Sequence, residues 1–161
     1  MTQMIDVVEF EVGGASYALD ILIAREIVEM MPITPLPRSP SYIAGIINLR
    51  GEITNIINLN QLLGLSGQHN ETGGQKIIVL MPEIAGGSHV GIIVDDVRSV
   101  IQVQEDAVER IDSSVSSESF VKGIIKRGMQ HGGDGREKGE ADLVIWLDIR
   151  RVLNEQVLHS P

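Results

Sequence analysis

Cysteine is missing from all 161 residues. That removes disulfides, thiolate metal sites and a Cys nucleophile together. Aromatic residues are scarce, at 3% of the chain, so a core has to be built from Ile, Val and Leu. β-Branched residues crowd the short apolar runs and suit a pleated, half-buried surface, which favours strands. Positive charge is also thin: 13 Lys and Arg stand against 22 Asp and Glu, giving a net charge of −9. A phosphate-backbone binder gathers its basic residues on one face, and an acidic chain is repelled by anionic lipid. No nucleic acid partner and no direct membrane insertion are therefore expected. No run approaches the ~18 apolar residues of a membrane span. The opening "MTQMIDVVEFEV" has neither the basic start nor the apolar stretch of a signal peptide. These absences leave a cytoplasmic globular protein as the expectation.

Reactive constellations are lacking too. His69, His89 and His131 fall in Gly-rich or polar stretches and His159 lies near the end. None has ligand spacing, so no metal is expected. Asp95 and Asp96 are adjacent, and neighbours on a strand point to opposite faces. They read as a strand-end turn with Asp96 solvated. "GGDG" at 132–135 lacks the alternating oxygen ligands of a calcium loop, and no phosphate-cradling G-x-x-x-x-G-K-[ST] occurs. Trp146 sits in a strand pattern and is expected in the core. No catalytic residue, no cofactor-binding residue and no cofactor is expected, so the protein reads as not an enzyme.

What is present is repetition. Apolar residues make up 43% of the chain, enough to fold, and "SYIAGIINLRG" (41–51) returns as "SFVKGIIKRG" (119–128). The flanking pieces repeat in the same order. Residues 7–20 read as strand, Gly13-Gly14 turn, strand, and 76–95 as strand, a longer loop with Gly86-Gly87, strand, closing on Asp20 and Asp95. The stretch 21–30 fits a short amphipathic helix, with Ile23, Ile27 and Met30 on one side, or a turn entering a strand. Its Ile and Val content favours the second, and 96–103 matches it. Pro32, Pro35, Pro37 and Pro40 keep the following segment extended. At the end of each copy, 53–64 and 143–155 read as a strand entering a short helix, with Ile57-Asn58-Leu59 matching Leu147-Asp148-Ile149; the second helix is expected to continue through Val157. A unit of about 65 residues buries too little surface alone, so two such units are expected side by side. The expectation is a mainly β protein of two five-stranded barrels, over 5–66 and 74–157, joined by a polar connector at 64–75. Either terminus is free to cross to the neighbouring barrel. A long mobile hairpin loop is expected over 128–142.

Arg50 stands out within the first Gly-Ile-Ile segment. Followed by Gly51 and bounded by apolar strands, it belongs in a tight turn with its guanidinium reaching outward. Arg suits directional contact with a carboxylate and is enriched at interface hot spots. For Gly45 and Asn48, turn formation competes with a contact role.

With these motifs in view, the chain resembles the CheW family of adaptors that couple chemoreceptors to the chemotaxis histidine kinase. The resemblance rests on "YALDILIAREIVEM", on "SPSYIAGIINLRGEI" with its P-x-x-I-x-G-x-x-N-L-R-G signature, on "VGIIVDDVRSVI" and on "LVIWLDIRRVL". It spans about residues 5–155, making 1–161 a single CheW-like domain. It implies two SH3-like five-stranded β-barrels, with the helical tip of a methyl-accepting chemoreceptor docking in the groove between them. The matching receptor-binding positions are Ala24, Glu26, Gly45, Ile46, Asn48, Leu49, Arg50, Gly51, Val97 and Val100; internal packing is the alternative for one of the two valines. It also implies docking to the regulatory domain of the kinase. Those contacts are not identified by sequence, and the strand surfaces 77–81 and 90–94 are the candidates considered. Asn55, Asn58 and Asn60 stand where the family usually has Pro, Asp and Arg. The alternative reading is a small-ligand-binding barrel or an unrecognised enzyme using the same groove.

Overall fold

The computed structural model describes residues 3–65, 74–109, 120–127 and 142–154. Most of the expected connector, the loop after residue 127, His69, His131, His159 and the helix extension through Val157 lie outside them. Copy one runs β1 (Met4–Val12), β2 (Ala15–Asp20), β3 (Ala24–Glu29), β4 (Ile43–Leu49), β5 (Glu52–Asn58) and α1 (Leu59–Leu62). Copy two runs β6 (Lys76–Leu80), β7 (Val90–Val94), β8 (Asp96–Gln104), β9 (Val121–Arg127), β10 (Asp142–Leu147) and α2 (Ile149–Val152). The protein is mainly β, as two five-stranded SH3-like barrels. Residues 21–30 take the second of the two forms considered: a 3₁₀ turn at Ile21–Ile23, then β3.

Sheet membership does not follow chain order. One sheet runs β8-β1-β2-β10-β9 and the other β3-β6-β7-β5-β4. Each barrel takes three strands from one copy and the hairpin of the other. The boundaries 5–66 and 74–157 therefore mark the repeats and need correction as barrel limits. The exchange is symmetric. It creates two parallel joints, β2 against β10 and β5 against β7, and parallel neighbours require a long connection rather than a hairpin.

The exchanged hairpin also explains the continuous apolar runs. β7 is buried at every residue, as strands covered on both faces are. Ile77, Val79 and Ile93 point into their own barrel, beside Ile47 and Ile56. Ile78, Leu80 and Ile92 point the other way, into a core shared with Phe10 and Leu19 of the opposite sheet. A third cluster fills the other barrel around Val7, Val144 and Trp146. Trp146 is a core residue, as expected. Residues 77–80 and 90–94, the candidates considered for kinase contact, are buried on both faces and present little side-chain surface. Their apolar alternation serves two cores at once.

The repeated Gly-Ile-Ile now has a physical account. In copy one, the extended proline segment crosses β4, where Thr34 and Ile46 exchange hydrogen bonds of 2.9 and 2.8 Å. A Cβ on Gly45 would stand 2.2 Å from the Thr34 carbonyl oxygen. In copy two, Glu109 and Ile124 exchange bonds of 3.0 and 2.8 Å, and a Cβ on Gly123 would stand 2.4 Å from Val108 Cγ1. Each copy thus needs glycine where one backbone passes over another.

The short helices repeat as faithfully. Asn58 Oδ1 accepts from the Gln61 amide at 3.2 Å, and Asp148 Oδ1 from the Arg151 amide at 3.1 Å. Asn caps as well as Asp, so Asn58, the second of the three asparagine departures, keeps its local role. Asn58→Ala and Asp148→Ala should each lower stability by about 1 kcal/mol, read as the shift in the urea midpoint. A change below a few tenths would show the caps to be idle.

Candidate functional site

The β4–β5 turn is built by register. Leu49 pairs with Glu52 and Asn48 with Ile53, leaving Arg50-Gly51 as a two-residue loop. Both have positive φ, 51° and 89°, as a primed hairpin turn requires to match strand twist. Asn48 Oδ1 accepts from the Gly51 amide at 2.8 Å and braces the turn. Gly51 adopts this conformation freely, whereas a residue with a Cβ does not. Asn at position 50 would suit the turn better than Arg. The backbone at Arg50 therefore carries a local cost that the turn itself does not explain.

Across from the turn lies β3. The Glu26 carboxylate pairs with the Arg50 guanidinium, and Arg25 Nη1 reaches Glu52 Oε1 at 3.4 Å. Neighbouring residues on a regular strand face opposite sides, yet Arg25 and Glu26 reach the same hairpin. The register explains this: Ala24 pairs with Leu80 and Glu26 with Val79, so Arg25 is an extra residue in a bulge. Hydrogen bonding to Glu26 and then its charge raise the Arg50 pKa above the ordinary value; burial opposes this slightly and Glu52 adds to it. The Arg50 side chain is 61% exposed, so this pair contributes little to stability and leaves the cation presented to solvent.

β8 repeats the arrangement of β3. Glu9 pairs with Ser99 and Phe10 with Val97, making Arg98 the extra residue of a second bulge. Its guanidinium binds Glu11 at 2.9 Å and approaches the buried Glu9 at 3.8 Å. Ala24 and Val97 occupy equivalent places, half-buried against the shared core. Val100 is 54% exposed, and its counterpart Ile27 is 42% exposed. Sequence reasoning missed Ile27 as a surface residue, although the spacing from Ala24, matched to Val97 and Val100, was the available signal.

The remaining expected residues divide by depth. Asn48 and Gly51 are exposed and Ile46 is half-buried. Leu49 is 7% exposed and packs inside its barrel beside Ile47 and Ile56, and Gly45 is buried beneath Thr34. These two shape the hairpin from within. Asn60 is buried, and among the described residues its Nδ2 has no hydrogen-bond partner. Asp96 caps its own strand start, accepting from the Val97 amide at 2.9 Å. Among the described residues there is no group of three or more His, Asp or Glu able to hold a metal. No helix there is long and apolar enough to cross a membrane. The arrangement offers an exposed guanidinium on a rigid turn, an acidic partner beside it, and matched apolar positions on two strands. Such a surface suits the binding of a partner.

The comparisons with known proteins agree. The CheW-like domain model matches residues 6–157. The chemotaxis protein CheW of Thermotoga maritima is 31% identical over 93% of this chain and 88% of its own length. The CheW of Treponema pallidum is 30% identical over 98% of this chain and 87% of its own. The crystal structure of the scaffolding protein TtCheW from Thermoanaerobacter tengcongensis superposes with a TM-score of 0.75 at 26% identity, covering 97% of this chain and 94% of that one. The CheW family consists of adaptor and scaffold proteins rather than enzymes, and this chain belongs to it.

Proposed function

We propose that this protein is a chemotaxis adaptor that couples methyl-accepting chemoreceptors to the chemotaxis histidine kinase by docking to both. In this reading it resides in the cytoplasm and reaches membrane-bound receptor arrays through its partners. The observation that carries the proposal is Arg50: an exposed cation held by Glu26 on a turn that Asn would fit better. Backbone cost without local return points to a contact made with something else. Ala24, Val97 and Val100 supply apolar anchors on the two flanking strands, and Ile27 adds a fourth. A receptor's helical tip would engage these side chains while Arg50 fixes its register. A scaffold of this kind alters kinase output through unequal affinity for signalling states, and repetition in an array compensates for weak single contacts. A small ligand in the seam is disfavoured, because Phe10, Leu19, Ile57 and Leu59 already fill it.

Co-sedimentation with receptor signalling fragments and with the kinase tests this. Wild type should join both. Arg50→Glu should weaken receptor binding at least about tenfold while leaving kinase binding intact. Arg50→Asn should keep the turn and its stability yet still bind the receptor less well. Wild type that joins neither partner would end the adaptor reading; full receptor binding by Arg50→Glu would remove Arg50 from the interface.

A further inference from the structure

Both hairpins close on an aspartate, and neither aspartate has a part in the docking surface. Each stands where the chain leaves one barrel for the other. Asp20 ends β2; the turn Ile21–Ile23 follows, and β3 begins in the second sheet. Asp95 is the single residue between β7 and β8, which again lie in different sheets. These are the two crossovers of the exchanged fold.

Both carboxylates are engaged across the repeat boundary. Asp20 Oδ1 accepts from Trp146 Nε1 at 2.8 Å, and Asp20 Oδ2 pairs with Lys122 Nζ at 3.4 Å. Lys122 lies 4.9 Å over the Trp146 ring, closing the cluster. Asp20 thus ties the departing chain to the barrel it leaves. Asp95 Oδ2 accepts from the Gly13 amide at 2.8 Å, while the Asp95 amide donates to the Glu11 carbonyl at 2.8 Å. Asp95 ties the chain to the barrel it enters. All of these side-chain contacts are partly buried, where charge-assisted bonds are strong.

We propose that Asp20 and Asp95 are positioning residues, latches at the two crossovers that set how the barrels meet and so the spacing of β3 from β8. The shared core cannot do this alone. Apolar burial is non-directional, so it holds the barrels together without specifying their mutual orientation, whereas hydrogen bonds of defined length and angle fix where each crossover leaves or enters the β8-β1-β2-β10-β9 barrel. The downstream strands are those that carry Ala24 and Glu26 on one side and Val97 and Val100 on the other. The consequence for receptor binding rests on the adaptor reading; the geometric role does not.

The absence of native cysteine allows a direct test. Spin labels on Ile27→Cys and Gln102→Cys, both at exposed positions, report the β3–β8 separation by pulsed electron–electron resonance. The unaltered latches should give one narrow distance distribution. Asp20→Ala, Asp95→Ala and Trp146→Phe should each broaden or shift it; Trp146→Phe removes the donor and part of the ring system while keeping an aromatic side chain in the core, which guards against simple failure to fold. Asp20→Asn retains an oxygen for Trp146 and should stay nearer to wild type. Unchanged distributions alongside a lower melting temperature would overturn the proposal and leave the aspartates as stability residues. In label-free protein, Asp20→Ala should weaken receptor-fragment binding about fivefold. Arg50→Glu serves as control: if it binds as wild type does, the docking reading fails, while the distance distributions still decide the latches.

Discussion

Gly45→Ala should cost roughly 3 kcal/mol or more, enough to unfold a protein of ordinary stability in part or whole. Two effects act together. Gly45 has φ of 144°, a conformation that residues with a Cβ occupy only under strain. The new methyl would also stand 2.2 Å from the Thr34 carbonyl oxygen, which is backbone and cannot rotate aside. Thr34 is itself fastened to Ile46 by two hydrogen bonds, so relief requires breaking the crossing. Gly123→Ala provides the contrast. Its nearest neighbour is the Val108 side chain rather than backbone, with the Glu109 carbonyl oxygen further off at 3.1 Å, so a loss of about 1–3 kcal/mol is expected, as for ordinary overpacking. Urea unfolding followed by circular dichroism measures both. If Gly45→Ala fell within about 1 kcal/mol of wild type, close crossing would not be what position 45 requires.

Phe10→Ala should cost about 3–5 kcal/mol, the range for removing a fully buried aromatic side chain. Phe10 is fully buried and stacks on Tyr17 with ring centroids 6.1 Å apart. It belongs to the core that both sheets line, so its loss should loosen both barrels together. Trp146 reports on one barrel and far-ultraviolet circular dichroism on the whole. The two signals should trace a single transition in wild type and in the variant, shifted to lower denaturant. Separate transitions would mean that the seam is not a common core and that each barrel stands by itself.

The sequence was most informative where a physical cause is local. The turn at Arg50-Gly51, the hairpin at Gly13-Gly14 and the capping residues Asn58 and Asp148 depend on neighbours within four positions. The glycine required in each Gly-Ile-Ile was visible as repetition, but its cause was not, because Thr34 and Val108 lie 11 and 15 residues upstream of Gly45 and Gly123. The candidate surface was half legible. Arg50, Glu26 and Val100 stand at the surface, with Arg50 and Glu26 paired. Leu49 and Gly45 face inward, since a motif reveals which residues belong to a hairpin without saying which side of it is covered. The burial of 77–80 and 90–94 was hidden for the same reason: an apolar run looks alike with one face buried or two.

From sequence alone came the β class, the two copies of one unit, the order of parts within each and the family. Composition, turn chemistry and period-two alternation act over a few residues and survive in any arrangement of the units. Only the tertiary structure decided that the copies exchange hairpins, that a bulge at Arg25 lets Arg25 and Glu26 reach one hairpin, that a matching bulge at Arg98 sends its guanidinium to Glu9 and Glu11, and that Asp20 and Asp95 stand bonded at the crossovers. Those outcomes depend on which strands find each other across the whole chain, and strand pairing is chosen by the burial of complete faces rather than by any local signal.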